Sequence, residues 1–248
     1  MLSRTPAEVA AHAAAAPGLP ALDAAVADCF ACPRLVAWRE KVAAERRASF
    51  RDQRYWGRPV PGFGPADAEI GILGLAPAAH GGNRTGRVFT GDRSGDVLFA
   101  ALHRAGLANQ ALSVSADDGL TLYHTRIFAA VRCAPPDNKP TPAERDTCAP
   151  WLHRELTLLR PSLRVVIALG AFAWAALWPA MRAVYGVLPP SPRLGFGHGV
   201  RWSHPGVPHL LGCYHVSQQN TFTGRLTEPM LDAVLARATQ LAGYSSGE

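Results

Sequence analysis

The sequence predicts an α/β protein of three layers, with a central four-stranded parallel sheet between two layers of helices. Three observations predict it. Four short apolar runs, "AEIGILGLAP" (68–77), "HTRIFAAVRC" (124–133), "SLRVVIALG" (162–170) and "PHLLGCYHVS" (208–217), have the length and continuity of strands buried on both faces. Helical segments follow each run, and strand–helix alternation closes into a parallel sheet covered on both sides. The chain has 248 residues, 48% hydrophobic and 18% charged, enough for one large core and too apolar for a disordered chain.

Taken in order, residues 1–20 carry an Ala-rich stretch broken by Glu8 and His12. It lacks the features of a signal peptide and reads as a flexible, partly helical tail, which leaves 21–248 as a single domain. Residues 20–50 repeat Ala, Leu and Val, end in a charged stretch, and are read as helical. Tyr55–Pro65 is rich in Gly, Pro and aromatics and reads as irregular. The first strand ends at Pro77 and gives way to a long Gly-rich loop. A helix starts near Ser94 and stops at Gly106. After the second strand, Thr141 is the N-cap, Pro142 the first helical residue and Glu144 the capping-box partner of a further helix. The third strand runs into a helix ending near Tyr185. The stretch "VVIALGAFAWAALWPAM" comes nearest to a membrane span, but Gly170 and Pro179 interrupt it. Residues 188–199 read as a loop with a hairpin-like excursion, and 228–243 as the closing helix.

In such sheets ligands bind beyond the carboxyl ends of the strands. Those ends carry "LAPAAHGGNR", "RCAPPDNKP", "LGAFA" and "YHVSQQN", three of them polar or rich in Gly and Pro. The net charge is 25 − 19 = +6, which fits a polyanionic partner without requiring one.

Four cysteines stand out. Cys29 and Cys32 form a C-x2-C pair, and Cys133 and Cys148 bracket a Pro-rich loop. Four thiolates complete the ligand set of a zinc ion or an iron–sulfur cluster, and the spacing does not separate the two. Either group would pin the N-terminal segment to the loop after the second strand. The odd total of five cysteines argues against a disulfide framework and for a reducing, cytoplasmic setting. Cys213, inside the last strand, is read as core.

The segment Gly74–Gly95 is neither a phosphate-binding P-loop nor a dinucleotide fingerprint. Its small residues let backbone amides approach a ligand. Asp92 precedes a helix, where a carboxylate serves equally well as a cap or as a catalytic base. Phe89 fits the core or a stacking platform for a planar ligand. In "YHVSQQNTFTGRLT", His215 ends an apolar strand and is followed by Ser217, Gln218, Gln219 and Asn220, too polar a run for a simple exit loop.

Together, "GLAPAAHG", "GRVFTGD", "VRCAPPDNKPTP", "HVSQQNTFTGRLT" and the spacing of the four cysteines resemble family five of the uracil-DNA glycosylase superfamily, from about Cys29 to Thr227. The resemblance implies hydrolysis of the bond joining a deaminated base to deoxyribose, and a 4Fe–4S cluster on Cys29, Cys32, Cys133 and Cys148 in a structural role, with zinc the lesser alternative. It implies Asp92 beside the attacking water, Asn138 assisting, and His215 polarising the leaving base. The base would stack on Phe89 and meet the backbone from Ala76, Pro77 and Ala78 to His80 and Gly81. Arg84, Lys139 and Arg225, with Ser217, Gln218, Gln219 and Asn220, would contact DNA, mainly duplex. Related family-four enzymes carry a polar residue where Leu75 stands and an Asn where Ala129 stands. Both losses fit family five, and the loss of the Asn at Ala129 implies a wider pocket that admits hypoxanthine, xanthine or etheno-cytosine beside uracil. A monomer without obligate protein partner or membrane association is expected. Three competitors remain at this point: a non-catalytic DNA-binding module, a hydrolase of free nucleosides, and an electron-transfer protein.

Overall fold

Four apolar runs become strands because each has a face for each layer of helices. In a computed structural model describing residues 2–244, these are β1 (Ile70–Gly74), β2 (Thr125–Ala129), β3 (Val165–Leu169) and β5 (His209–Cys213). Alternate residues point to opposite faces. Val166 and Ala168 of β3 enter one core, and Val165, Ile167 and Leu169 the other. Cys213 is buried in the second core, as read from the sequence.

The strand order is β2-β1-β3-β5-β4, and the pairings among the first four are parallel. The fifth strand corrects the expected count of four. β4 (Arg201–Trp202) pairs antiparallel with β5 and covers its edge. Two residues leave no period to read. The approach of the backbone at Gly197 to Gly212, where no Cβ would fit, is likewise invisible in composition.

On one face lie α1 (Pro6–Ala15), α2 (Leu19–Ala27), α6 (Pro142–Leu159) and α7 (Ala171–Tyr185). The other face is covered by α5 (Arg93–Arg104) and α9 (Glu228–Ala242). The expected tail is in fact packed. Thr5 and Glu8 form a capping box on α1, and Val9 and Ala13 are buried in the core that α6 shares. Alanine is apolar enough to pack and too small to advertise it. The capping box at Thr141 and Glu144 forms as expected.

The remaining helices, α3 (Pro33–Glu45), α4 (Gly82–Thr85) and α8 (Gln218–Phe222), lie near the carboxyl ends of the strands. They frame the loops that follow β1, β2 and β5. Deep under those loops, Glu155 bridges Arg126 and Arg132, and Arg126 also pairs with Asp23 at 2.8 Å. Glu155 is buried without exposure, and the two cations hold its carboxyl below the usual carboxylate range. Among the described residues no helix is long and apolar enough to cross a membrane.

Candidate active site and cysteine centre

The loops after β1, β2 and β5 enclose a cleft of about 420 Å³ at the carboxyl ends of the strands. The first contributes Leu75 to Ala78, Phe89 and Asp92, the second Asp137 and Asn138 together with Ala129 at the end of β2, and the third His215, Ser217 and Gln219. Asp92 is the N-cap of α5, accepting the Gly95 N–H at 3.0 Å. Capping and placement in the cleft are therefore not alternatives, because the cap fixes the carboxylate there. Burial raises the Asp92 carboxyl above its usual range, against the lowering by the backbone donors of Gly95 and Ser94. Gly81 packs directly on it, and a Cβ at that position would overlap Asp92 Oδ2.

A second pocket adjoins the first. It is lined by Arg47, Phe50, His80, Gly81, Arg93 and Gln218, and shares Ala78, Asp92 and Asn138 with the inner cleft. Asp92 and Asn138 therefore stand on the wall between an inner cleft lined by Phe89 and His215 and an outer one bearing Arg47 and Arg93. Asn138 is held there with φ 55° in a turn that includes Asp137 at φ 53°. Arg34 steadies that loop. Its guanidinium donates to Glu144 at 2.8 and 2.7 Å and to the Lys139 carbonyl at 3.1 Å. Lys139 itself is exposed.

Phe89 and His215 face each other inside, with ring centroids 5.9 Å apart. Phe89 has φ 50°, a conformation a bulky residue adopts only when its surroundings compel it. Gly95 supplies the room, since a Cβ there would strike the Phe89 carbonyl. The Asn220 amide donates to the His215 carbonyl at 2.8 Å and fixes the turn. Burial lowers the His215 imidazole to about 4, so it is neutral at pH 7. Its folded pKa lies below the 6.5 of an exposed histidine. The unfolded chain therefore takes up a proton first as pH falls, and stability is lost from about pH 6.5 down to about pH 4. The loss should approach about 3 kcal/mol. Urea unfolding of wild type and His215→Gln between pH 7 and 4 checks this: over that range the variant should lose less stability than wild type, the difference approaching about 3 kcal/mol.

Several expected contacts stand elsewhere. His80 lines the outer pocket, its Nδ1 3.0 Å from the Tyr55 hydroxyl. The Gly81 N–H is committed to the Ala78 carbonyl at 3.2 Å, whereas among the described residues the N–H groups of Ala76 and Ala78 meet no acceptor. Arg84 does not suit the phosphate contact read from the sequence. It is 8% exposed, donates to the His80 and Gly91 carbonyls at 2.7 Å and to Gln53 at 2.6 Å, and lies over the Phe50 ring. It braces the loop from inside. Asn220 is likewise committed through its amide nitrogen. Ser217 and Gln219 line the inner cleft and Gln218 the outer pocket. Arg225 is exposed above the Tyr214 ring, 4.7 Å from its centroid. The sequence reading missed Arg47 and Arg93, ordinary surface arginines until the fold brings them together. It also missed Phe222, 71% exposed at the end of α8, an aromatic in a polar run that could have drawn notice.

The four cysteines converge. Cys29, Cys32, Cys133 and Cys148 line one pocket with Leu35 and Trp151, bringing the start of α3 against the loop after β2 and the first half of α6. Burial pushes the Cys32 thiol up to about 12 and the Cys133 thiol to about 11. Arg39 Nη1 lies 3.0 Å from Cys133 Sγ, while Arg39 Nε and Nη2 are buried and, among the described residues, without acceptors. An all-sulfur donor set beside an unneutralised cation fits an anionic, thiolate-bound group. Among the described residues, no three His, Cys, Asp or Glu side chains are arranged to hold a single metal ion.

The family model of the uracil DNA glycosylase superfamily matches residues 61–239. A type-5 uracil-DNA glycosylase of Mycobacterium tuberculosis is 58% identical over 222 residues, covering 90% of this chain and 81% of that protein. The type-5 enzyme of Mycobacterium leprae is 55% identical, covering 91% and 96%. That of Thermus thermophilus is 54% identical, covering 87% and 94%. The chain belongs to the uracil DNA glycosylase superfamily and to its type-5 group, as the sequence resemblance implied.

Proposed function

We propose that this member of the superfamily hydrolyses the N-glycosidic bond of uracil in DNA, and also that of hypoxanthine, xanthine or etheno-cytosine, leaving an abasic site as the first step of base excision repair. The observation that carries the reading is the position of Asp92 and Asn138 on the wall between an inner ring-lined cleft and an outer pocket bearing Arg47 and Arg93. A flipped nucleotide with its base inside and its phosphates outside has its glycosidic bond at that wall. Flipping costs a few kcal/mol, less at a mismatch.

Bond breaking places negative charge on the base and positive charge on the sugar. Neutral His215 and the N–H groups of Ala76 and Ala78 would donate to the first. The carboxylate of Asp92 stabilises the second and, with Asn138, orients the attacking water. Phe89 is the stacking platform. The side chains of Leu75 and Ala129 line the cleft without a polar atom, which favours tolerance of bicyclic bases over selection for uracil. Gln218, which lines the outer pocket, and the exposed Phe222 four residues on in α8 are suited to hold the duplex open, and Lys139 and Arg225 to meet phosphates. The enzyme is read as a monomer acting on duplex DNA at the nucleoid. The cysteine centre is read as holding a 4Fe–4S cluster, which would supply a covalent cross-link between the start of α3, the loop after β2 and α6, and take no part in bond cleavage.

Duplexes carrying one uracil or one hypoxanthine, incubated with the purified protein and resolved after cleavage at abasic sites, test the proposal. Release of both bases is expected. Release of uracil alone would reject the wide pocket. Binding without release of either would favour the non-catalytic module.

A further inference from the structure

Arg39 lies two turns into α3 from Cys32, on the same helical face, and is fully buried. Its Nη1 donates to the Cys29 carbonyl at 3.0 Å and approaches Cys133 Sγ at 3.0 Å, and its guanidinium lies 4.7 Å from the centroid of the Phe30 ring. Among the described residues its Nε and Nη2 meet no acceptor. Among the described residues no carboxylate pairs with it. The contrast is Arg132, in the same pocket, whose charge is met by Glu155. A buried guanidinium without a counter-charge is among the least favourable groups a core can hold.

Resting on the cofactor reading above, we propose that Arg39 is the resident counter-cation of the group bound by the four cysteines, donating its N–H groups to the ligating sulfur and so holding that group in the protein. Thiolates bound to metal carry the negative charge that the apolar lining of the pocket lacks. Hydrogen bonds to sulfur from a charged donor are the outer contacts that retain such groups. Arg39 is also where the centre meets the base-binding loop. Asn83 donates to the Arg39 carbonyl at 3.2 Å and to the Ala79 carbonyl at 3.4 Å.

The test compares wild type, Arg39→Lys and Arg39→Met as purified, by iron per chain and by the lifetime of the visible absorption in air with an iron chelator present. Arg39→Met keeps length and packing without charge, and should lose its absorption about 10–100-fold faster than wild type. Arg39→Lys, restoring the charge, should recover most of the lifetime. A purely structural role predicts the reverse order, because Met packs in an apolar pocket better than Lys does. Equal lifetimes for wild type and Arg39→Met, or a Lys variant no better than Met, would overturn the inference alone. Wild type purified without iron would overturn the cofactor reading and this inference with it, leaving the base-release assay untouched. If Arg39→Met is insoluble, Arg39→Gln, with donors but no charge, enters the same comparison.

Discussion

Asp92→Asn should lower base release by about 10²–10⁴-fold while leaving duplex binding and thermal stability near wild type. The separation of effects follows from geometry. Asp92 Oδ1 caps α5 through the Gly95 N–H, and an Asn side-chain oxygen caps nearly as well. What Asn removes is the negative charge at the wall between the two pockets. The pH profile should change with it. Burial raises the Asp92 carboxyl above 3.8, so wild-type activity should fall as pH drops through that raised value, where the carboxylate takes a proton. Residual activity of Asp92→Asn should lack that acid limb. Single-turnover release on a uracil duplex, followed from pH 8 downward as far as the protein stays folded, measures both. An Asp92→Asn enzyme that keeps wild-type rates, or the same acid limb, would remove Asp92 from the chemistry and leave it as a helix cap.

The sequence revealed what periodicity and local chemistry encode. β1, β2, β3 and β5 were legible because strands buried on both faces are continuous apolar runs. The caps at Asp92 and Thr141 were legible because a capping residue announces itself within four positions. Roles set by contacts between distant segments were not. Arg84 and Asn220 are polar residues in loops, and such residues read alike whether they face solvent or hold the loop from within. Arg84 meets Gln53 and the Gly91 carbonyl only once the chain has folded. Arg47 and Arg93 join one pocket from segments some 45 residues apart. The packing of α1 was hidden for a different reason. Its buried face is only Val9 and Ala13, too few apolar side chains to mark a packed helix, and the segment reads as a tail. The unpaired charge of Arg39 could not be inferred from the sequence, because composition does not say which of the 19 Asp and Glu residues meets which cation.

Gly81→Ala should lower the maximal rate of base release by about 10²-fold without unfolding the protein. Gly81 has a negative φ of −100°, so the positive-φ penalty for alanine does not arise. The obstacle is the side chain opposite, since the new methyl would occupy the volume of Asp92 Oδ2. One of the two must give. The carboxylate is the freer partner, and displacing it by about 1 Å moves the charge away from the sugar it stabilises, which is enough for a loss of that size. A double-mutant cycle separates this account from general damage to the loop. On an Asp92→Ala background no carboxylate remains to be displaced, so Gly81→Ala should cost almost nothing further. Two losses that add in full would mean that Gly81 acts through the loop backbone, and that its contact with Asp92 is incidental to catalysis.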